Sequence, residues 1–320
     1  MALTPQRPLA VFYEHPDWFR PLFAELDTRG TPYVRLEAAG HRFDPGEERP
    51  PYALVFNRMS PSAYLRGHGN AIFYTLHYLA YLERCGVPVV NGYRAYVTET
   101  SKALQLALLR QLGLSFPRAR VIHRPDEAPE AARGLRFPVV VKPNIGGSGA
   151  GIVRFETPEE LVRAVEADML PLGIDHTALV QEYIPADEGR IVRVEVLGGR
   201  FLYAIRIYTP GDTFNLCPAD VCRTVGGAEL VRAACPVDAP KNDLRVECYT
   251  PPPAVVDQVE RIVRAAGIDV GGVEYMIDAR DGRQYYYDVN ALSNFVADAP
   301  RVVGFDPVAR MVDYLERAAG

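Results

Sequence analysis

The chain has 320 residues and a formal net charge of −5 at pH 7, with 48% hydrophobic and 10% aromatic residues. This length and apolar content are enough to bury a substantial core and indicate two or three compact lobes. The acidic balance argues against a broad nucleic-acid interface, and no run approaches the roughly 18 apolar residues of a membrane span. Because no charged-then-apolar leader follows Met1, we expect a cytoplasmic protein.

The first part of the chain alternates strand and helix patterns, which predicts an open parallel sheet. The predicted strands are Leu9–Tyr13, Tyr33–Glu37, Tyr52–Phe56 and Val87–Val90, and the predicted helices are Asp17–Arg29 and Ile72–Cys85. Ligands of such sheets bind beyond the carboxyl ends of the strands. Arg58 follows one of these ends and is therefore a candidate contact for an anionic substrate, with a surface salt bridge as the alternative.

A glycine-rich loop marks the middle of the chain. The apolar run Phe137–Val141 predicts a buried strand that leads into Lys142, and four of the six residues Gly146–Gly151 are glycines. Consecutive glycine N–H groups can converge on an anion because no Cβ obstructs them. The apolar run Ile152–Phe155 follows at once, so the loop joins two strands and fits neither the P-loop nor the dinucleotide-binding signature. A mobile surface turn is the alternative.

Lysine is rare in this chain, since only three of the 35 basic residues are lysines. Lys102 begins a predicted helix and Lys142 precedes the glycine loop, where a nucleotide-binding enzyme needs a compact ammonium group. Lys241 lies in a polar stretch and is predicted to be solvated. These neighbours favour phosphate binding by Lys102 and Lys142 over codon bias as the reason for their presence.

The rest of the chain predicts further strands and helices. The predicted strands are Arg118–His123, Val192–Val196 and Phe201–Tyr208. Three helices are predicted: one that begins after the capping box opened by Thr157, a second over Pro251–Ala266 and a third over Asp306–Ala318. Alternation in the Val192 strand puts Arg193 and Glu195 on one face. The five cysteines have no C-x-x-C spacing, so we expect reduced thiols; a metal or cluster site at Cys217 and Cys222 is the alternative.

Acidic residues lie on a predicted hairpin formed by Val273–Asp278 and Gln284–Asn290. If Arg280–Gly282 forms the loop, Ala279 faces Arg283 and Glu274 lies opposite Asp288. Asp288 and Asn290 are two residues apart and share a face of their strand. Two carboxylates and an amide oxygen on one face suit Mg²⁺, whereas simple exposure of acidic residues is the alternative.

Taken together, roughly residues 50 to 320 resemble the ATP-grasp superfamily, in particular the branch of the ribosomal-protein glutamate ligase and glutathione synthetase. Five motifs occur in the family's order: Thr100–Leu104 with its helix, Val141–Pro143 with the glycine loop, Val180–Ile184, the pair Arg193 and Arg206, and the trio Glu274, Asp288 and Asn290. The resemblance implies an α/β protein with α+β lobes, in which an open parallel-sheet domain precedes an ATP-grasp fold. The implied division is 1–95 for the N-terminal domain, 96–185 for the small lobe and 186–320 for the C-terminal lobe.

The resemblance also implies the ligands of each motif. Lys102 and Lys142 would fix the α- and β-phosphates of ATP, and two Mg²⁺ ions would be bound by Glu274, Asp288 and Asn290. Arg206 would stabilise the charge that develops during transfer, with Arg193 behind it. The implied nucleotide-binding residues of the glycine loop are Gly146, Gly147, Ser148, Gly149 and Gly151, and those of the adenine-binding strand are Gln181, Glu182, Tyr183 and Ile184.

The implied activity is that of an ATP-dependent carboxylate–amine ligase. A carboxylate attacks the γ-phosphate of ATP, and an amine then displaces phosphate from the acylphosphate. Amino acids or small peptides are the implied substrates. The sequence leaves the oligomeric state open between a monomer and a homodimer, and relatives often pair through the first or third lobe. A phosphotransferase on the same scaffold and a nucleotide-binding regulator without turnover are the alternatives.

Two positions depart from the family pattern. Ile191 stands where many relatives carry an acidic residue, so we expect Asp187 or Glu188 to hold the ribose hydroxyls. After Asn290 the family's Ser-Pro-Gly turn is replaced by Ala291–Phe295, in which Ser293 and Asn294 are candidate substrate contacts. This second departure keeps the phosphotransferase alternative open.

Overall fold

The structure is a computed structural model of the chain. It describes residues 3–15, 17–147, 150–170, 172–208, 220–223, 229–232 and 245–320, with backbone alone for 220–223 and 229–232. The strands are β1 (Leu9–Tyr13), β2 (Tyr33–Glu37), β3 (Leu54–Arg58), β4 (Val89–Val90), β5 (Ala119–Ile122), β6 (Val139–Pro143), β7 (Val153–Phe155), β8 (Ala178–Glu182), β9 (Arg190–Leu197), β10 (Arg200–Tyr208), β11 (Asp220–Arg223), β12 (Glu229–Arg232), β13 (Arg245–Tyr249), β14 (Val270–Ile277) and β15 (Gln284–Asn290). The α-helices are α1 (Arg20–Arg29), α2 (Gly69–Arg84), α3 (Tyr93–Glu99), α4 (Lys102–Gln111), α5 (Ala128–Ala132), α6 (Pro158–Glu166), α7 (Pro253–Ala266), α8 (Ala299–Val303) and α9 (Pro307–Ala319).

The N-terminal strands form the predicted parallel sheet, in the order β2-β1-β3-β4. The inner strands β1 and β3 are buried along almost their whole length, as expected of parallel strands covered on both faces. The predicted helix start at Asp17 is wrong, because α1 begins at Arg20. Nδ1 of His15 accepts hydrogen bonds from the N–H groups of Asp17 and Trp18, at 3.1 and 3.3 Å, and holds this segment in a turn.

A second sheet carries the glycine loop. Its order is β5-β8-β6-β7, all pairs are antiparallel, and β6 and β7 flank the loop as predicted. The predicted cap of α6 is confirmed, since Oγ1 of Thr157 accepts a hydrogen bond from the N–H of Glu160 at 3.3 Å. The apolar faces of this sheet, α5 and α6 enclose a core of their own that includes Val139, Leu161 and Val180.

The third sheet is antiparallel with the order β13-β10-β9-β14-β15, and a separate pair joins β11 to β12. The predicted pairing of Glu274 with Asp288 is confirmed. The predicted turn is wrong, because the N–H of Asp278 donates to the carbonyl of Arg283 at 2.8 Å and four residues, 279–282, form the turn. A β-bulge opposite the step from Glu274 to Tyr275 leaves Tyr287 as the extra residue, which restores the register at Asp288.

The first and third sheets share one hydrophobic core, to which Leu9, Phe56, Ile205 and Met311 contribute. Asn91, which follows β4, connects the two sheets by hydrogen bonds of its side chain. Its amide donates to the carbonyls of Val270 and Ala291 at 2.7 and 2.6 Å, and its Oδ1 accepts from the N–H groups of Asp269 and Val270 at 2.8 and 3.1 Å. The two sheets therefore form one continuous body.

The predicted boundaries 1–95, 96–185 and 186–320 separate the strands of the three larger sheets, and the division into domains stays a prediction. Within the described parts of the chain, every helix is too short or too polar to cross a membrane.

Candidate active site

One cleft brings together most of the predicted site residues. The predicted residues that line it are Lys102, Lys142, Gly146, Gly147, Gln181, Glu182, Tyr183, Ile184, Arg193, Glu274, Asp288, Asn290 and Asn294. The predicted residues Arg58, Gly151, Asp187, Glu188, Arg206 and Ser293 lie elsewhere, and Ser148 and Gly149 are outside the described residues. Strands of the second and third sheets and segments that follow strands of the first sheet form the walls.

The two lysines reach the cleft from different elements. Lys102 begins α4, whose N-cap Ser101 accepts a hydrogen bond from the N–H of Leu104 at 3.2 Å. Nζ of Lys102 lies 3.3 Å from the carbonyl oxygen of Gly146 and 3.7 Å from Oδ1 of Asp288. The ammonium group of Lys102 therefore bridges the glycine loop and the acidic hairpin.

Lys142 lies on β6 and is only 5% exposed. Burial, and after it the positive charge of Lys102, lower the pKa of its ammonium group to about 7, while the negative charge of Asp288 acts in the opposite direction. A phosphate group in the cleft would supply the negative charge that restores the protonated form. The geometry of Lys142 thus suits an anionic ligand.

We call residues Gly146–Gly151 the flap. Gly146 and Gly147 line the cleft, and Gly151 has a φ of 73°, which glycine adopts without strain. A Cβ on Gly147 would lie 3.0 Å from Cβ of Ser62, which belongs to the segment after β3. The absence of a side chain at position 147 therefore lets the flap approach the N-terminal sheet closely.

The strand β8 and the residues after it form the apolar end of the cleft. Gln181 and Glu182 end β8, and Tyr183 and Ile184 continue the wall. The sequence analysis missed the facing residues, which are Pro117, Val140, Ile152, Met276 and Leu292. An apolar lining of this kind has the character of a site for a flat aromatic base. The apolar runs in the sequence predicted strands, but they did not predict that these apolar residues meet in one cleft, because that depends on the tertiary fold.

The predicted ribose contacts are not brought to the cleft. Asp187 and Glu188 both form ion pairs with Arg190 at the start of β9, at 3.2 Å in the case of Asp187. Glu188 also adopts a left-handed conformation with a φ of 51°. The turn that precedes β9 therefore directs both carboxylates to Arg190, and the expectation that one of them faces the cleft disagrees with the structure.

The acidic trio lies on the face of the third sheet that borders the cleft. Oε1 of Glu274 accepts from Arg193 at 2.8 Å, and Oε2 accepts from the hydroxyl of Tyr287 at 2.6 Å. Nδ2 of Asn290 donates to Oδ2 of Asp288 at 2.6 Å, so this hydrogen bond does not occupy the amide oxygen. Burial raises the pKa of Glu274, and the nearby negative charge of Asp288 raises it further.

These oxygens fit a divalent cation. A cation would relieve the repulsion between Glu274 and Asp288, whose Oδ1 also lies 3.7 Å from the ammonium group of Lys102. The described residues contain no group of three or more His, Cys, Asp or Glu side chains that could hold a metal. The predicted trio is not such a group, because its third member, Asn290, is an amide. Cys217 lies outside the described residues, and the side chain of Cys222 is not described.

The two predicted catalytic arginines lie on opposite faces of the third sheet. Arg193 pairs with Glu274 across β9 and β14, and directly opposed residues share a face. Arg206 is opposite Val192 and Glu247, one residue out of phase, and its guanidinium lies 3.9 Å from the ring centre of Tyr249. Because side chains alternate along a strand, the register keeps Arg206 away from the cleft and contradicts its predicted role.

The segments that follow β1 and β3 form the part of the cleft opposite its apolar end. Trp18, Ser60 and Ser62 line this part together with Asn294. Arg58 is fully buried within β3 rather than beyond it; its Nη2 donates to the carbonyl of Ser293 and, at 2.9 Å, to Oδ1 of Asn294. Arg58 therefore holds residues 293 and 294 in place by hydrogen bonds. Because it is buried and does not line the cleft, its position fits neither the substrate contact nor the surface salt bridge that the sequence suggested.

Glu99, at the end of α3, is a cleft residue that the sequence analysis missed. It is 5% exposed, and burial raises the pKa of its carboxyl group to about 7, although the N–H of Ala291 donates to Oε2. Its position three residues before Lys102 was the only available signal. Tyr287 also lines the cleft, and the sequence analysis missed it as well. Strict alternation along β15 does not predict its position, because Tyr287 is the extra residue of a β-bulge.

Known proteins share both the sequence signature and the fold. The signature of the RimK-like ATP-grasp domain matches residues 99–215. Residues 99–215 are therefore similar to the RimK-like ATP-grasp domain. A probable alpha-L-glutamate ligase of Teredinibacter turnerae is 32% identical over 192 residues, which are 60% of this chain and 58% of that protein.

Two solved structures share the fold along the whole chain. The ATP-grasp ligase PsnB complexed with minimal precursor, Mg and ADP has a TM-score of 0.63 at 20% identity, covering 100% of this chain and 99% of PsnB. The D-cycloserine synthetase DcsG has a TM-score of 0.66 at 16% identity, covering 98% of this chain and 99% of DcsG. The predicted ATP-grasp fold behind a parallel N-terminal sheet is therefore confirmed.

Proposed function

We propose that the protein is an ATP-dependent carboxylate–amine ligase that acts on amino acids or small peptides through an acylphosphate. The observation that carries this proposal is the meeting of Lys102, Lys142 and the acidic trio in one cleft, where Nζ of Lys102 lies 3.7 Å from Oδ1 of Asp288. Cations for phosphates and oxygens for a divalent cation are the two requirements of phosphoryl transfer from ATP.

The cleft divides into three binding regions. The apolar end of the cleft beside Val140 and Met276 would take the adenine ring, against the backbone of the segment after Gln181. Lys102 and Lys142 would bind the phosphates, and the N–H groups of the flap would cover them. The end formed by Trp18, Ser62 and Asn294 would take the carboxylate and the amine.

Glu274, Asp288 and Asn290 would hold Mg²⁺, which would supply positive charge against the negative charge of the phosphates during transfer. The residues around the trio support this role. Tyr287 and Arg193 fix the orientation of the Glu274 carboxylate, and Asn290 fixes that of Asp288.

The reaction needs no nucleophilic side chain. An oxygen of the substrate carboxylate attacks the γ-phosphorus, the bond to the β-phosphate bridging oxygen breaks, and ADP leaves. The amine nitrogen then attacks the acyl carbon, phosphate leaves, and the surplus amine protons pass to water. The flap, held against Ser62 and Lys102, would keep water away from the acylphosphate during this interval.

The relatives support the class of reaction. They include proteins named glutamate ligase and D-alanine–D-alanine ligase, and PsnB is an ATP-grasp ligase seen with a precursor, Mg and ADP. The chain spans 58% of the length of the glutamate ligase that it matches, so the identity of its own substrates is part of the proposal. The choice between a monomer and a homodimer stays open, and the cytoplasmic location stays a prediction.

A screen of amino acids and dipeptides for ADP release tests the proposal. We expect ADP and phosphate only when an acid and an amine are both present, and none from the Asp288→Ala variant. Asp281→Ala, in the exposed turn of the same hairpin, is the matched control and should retain activity. ADP release that survives Asp288→Ala would contradict the metal assignment.

Hydroxylamine separates this function from the phosphotransferase alternative. It traps an acylphosphate as a hydroxamate, whereas a phosphoester does not react with it. A hydroxamate formed with the acid alone would support the ligase, and a stable phosphoester product would contradict it.

A further inference from the structure

Arg193 lies between two carboxylates in the interior of the third sheet. Its Nε donates to Oε1 of Glu195 at 2.5 Å, and its Nη1 donates to Oε1 of Glu274 at 2.8 Å. Glu195 and Arg193 are two residues apart on β9, and Arg193 is directly opposite Glu274 on β14. Register and alternation therefore place all three side chains on the face that borders the cleft.

The environment keeps Arg193 in this position. The exposed fractions of the side chains of Arg193, Glu195 and Glu274 are 5%, 1% and 7%. A Cβ on Gly272, which faces Glu195 across the strands, would lie 2.8 Å from Nη2 of Arg193. Glycine at position 272 thus leaves the space that the guanidinium fills, and the buried guanidinium has little freedom to turn away.

We propose that Glu195 is a positioning residue that supplies the counter-charge of Arg193, so that the guanidinium does not offset the negative charge that Glu274 presents to a divalent cation. This inference rests on the proposed function and assigns a role to a residue that lies outside the predicted site. Glu274, Asp288 and Asn290 would be the ligands of the cation, and Glu195 would act on Glu274 only through Arg193.

The charges of the group give the physical reason. With Glu195 present, one guanidinium is shared by two carboxylates, so the group of three carries one net negative charge. Without the charge of Glu195, Arg193 and Glu274 neutralise each other. In a buried site, where charges are poorly screened, a neutral pair attracts a divalent cation much less than a free carboxylate does.

ADP binding measured by calorimetry over a range of Mg²⁺ concentrations tests this inference. Glu195→Gln keeps the shape and a hydrogen-bond acceptor for Arg193 but removes the charge. We expect the Mg²⁺ concentration that half-saturates the effect on ADP affinity to rise about tenfold. The double variant Arg193→Gln, Glu195→Gln removes both members of the pair, so no guanidinium neutralises Glu274, and its Mg²⁺ requirement should be lower than that of Glu195→Gln alone.

The matched control is Glu260→Gln, which removes an acid that pairs with Arg200 at 2.8 Å at the far end of β10. It should leave the Mg²⁺ requirement unchanged. A wild-type Mg²⁺ requirement in Glu195→Gln, with or without a lower melting temperature, would overturn the inference alone, because a purely structural role does not alter the metal dependence. Wild-type ADP binding that ignores Mg²⁺ would overturn the proposed function as well.

Discussion

Glu99 and Lys142 are ionisable side chains that the fold holds in the interior of the cleft. Both have a pKa of about 7, reached from opposite directions, since burial raises that of the carboxyl group and lowers that of the ammonium group. Desolvation favours the neutral form in each case. The two residues therefore give the protein distinct pH dependences of stability and of ligand binding.

Glu99→Gln tests the cost of ionising a buried carboxyl group. Because the folded pKa of Glu99 is about 7 and its ordinary value is 4.5, the folded state binds the extra proton between these values. The contribution of Glu99 to stability is therefore full below 4.5 and is lost as the pH rises towards 7. The variant should lack this loss and be more stable than the wild type at about pH 8, by up to about 3 kcal/mol.

Chemical unfolding of both proteins at about pH 5 and about pH 8, without nucleotide or Mg²⁺, measures the difference. The amide oxygen of the introduced glutamine can still accept the hydrogen bond from Ala291, so the comparison isolates the charge. An equal change of stability with pH in the two proteins would show that Glu99 ionises freely in the folded state.

Lys142 predicts that nucleotide binding takes up a proton. At about pH 8 most of the free protein has a neutral Lys142, and bound phosphates should restore its charge, with uptake of up to about one proton; at about pH 6 the uptake should be small. Calorimetry in buffers of different ionisation enthalpy measures the protons. Lys142→Arg stays charged and is the control, so uptake that persists in this variant comes from another group.

Several site residues could be predicted from the sequence because a local pattern marks them. Lys142 ends an apolar run before glycines, and Asp288 and Asn290 alternate on one strand. Glu99 and Tyr287 have no such mark, since burial of the first and the bulge at the second arise from packing between distant segments.

At the scale of elements, the flap depends on its contact with the segment after β3. In Gly147→Ala the new Cβ would lie 3.0 Å from that of Ser62, so the flap must shift. We expect ATP affinity to fall about tenfold, equivalent to about 1.4 kcal/mol, and ADP release without the amine to increase. Binding calorimetry and an ADP assay check the two effects.

A second substitution separates this contact from other effects of the flap variant. Ser62→Gly removes the opposing Cβ, so the double variant should regain most of the lost ATP affinity. The single variant Ser62→Gly is the control for the lost hydrogen bond between Ser60 and Ser62, whose hydroxyls are 2.8 Å apart. Affinity in the double variant no better than in Gly147→Ala would exclude the steric explanation.

Sequence periodicity predicted whether most segments form a helix or a strand. It did not always predict the register in which neighbouring strands pair. The hairpin pairing of Glu274 with Asp288 was predicted from a three-residue turn, yet the structure reaches it with a four-residue turn and a compensating bulge. Arg206 shows the opposite case, because its motif was recognised but a one-residue difference in phase sends its side chain to the other face.

At the scale of the whole molecule, Asn91 is the clearest connection between the first and third sheets. Asn91→Ala removes four side-chain hydrogen bonds and leaves buried backbone groups of β14 unpaired. We expect a loss of about 3 kcal/mol or more in unfolding free energy, measured with urea. The φ of Asn91 is 55°, so Asn91→Gly, which relieves backbone strain, is the control for conformation.

A loss in Asn91→Gly close to that in Asn91→Ala would assign the effect to the hydrogen bonds. A negligible loss in the glycine variant would contradict the connecting role. No local pattern marks this residue, because its partners are 178 to 200 positions away along the chain. Parallel strands and helix caps are encoded locally, but contacts between sheets are not.

The separate interior of the second sheet has a consequence for how a nucleotide enters. Asn91 and a common core lock the other two sheets together, whereas β5 to β8, α5 and α6 enclose a core of their own, so we expect this lobe to rotate as a unit. The chain enters this lobe through residues 112–118 and leaves it through residues 183–189. These two crossings form a natural hinge, and stiffening either of them should slow product departure before it affects the chemistry.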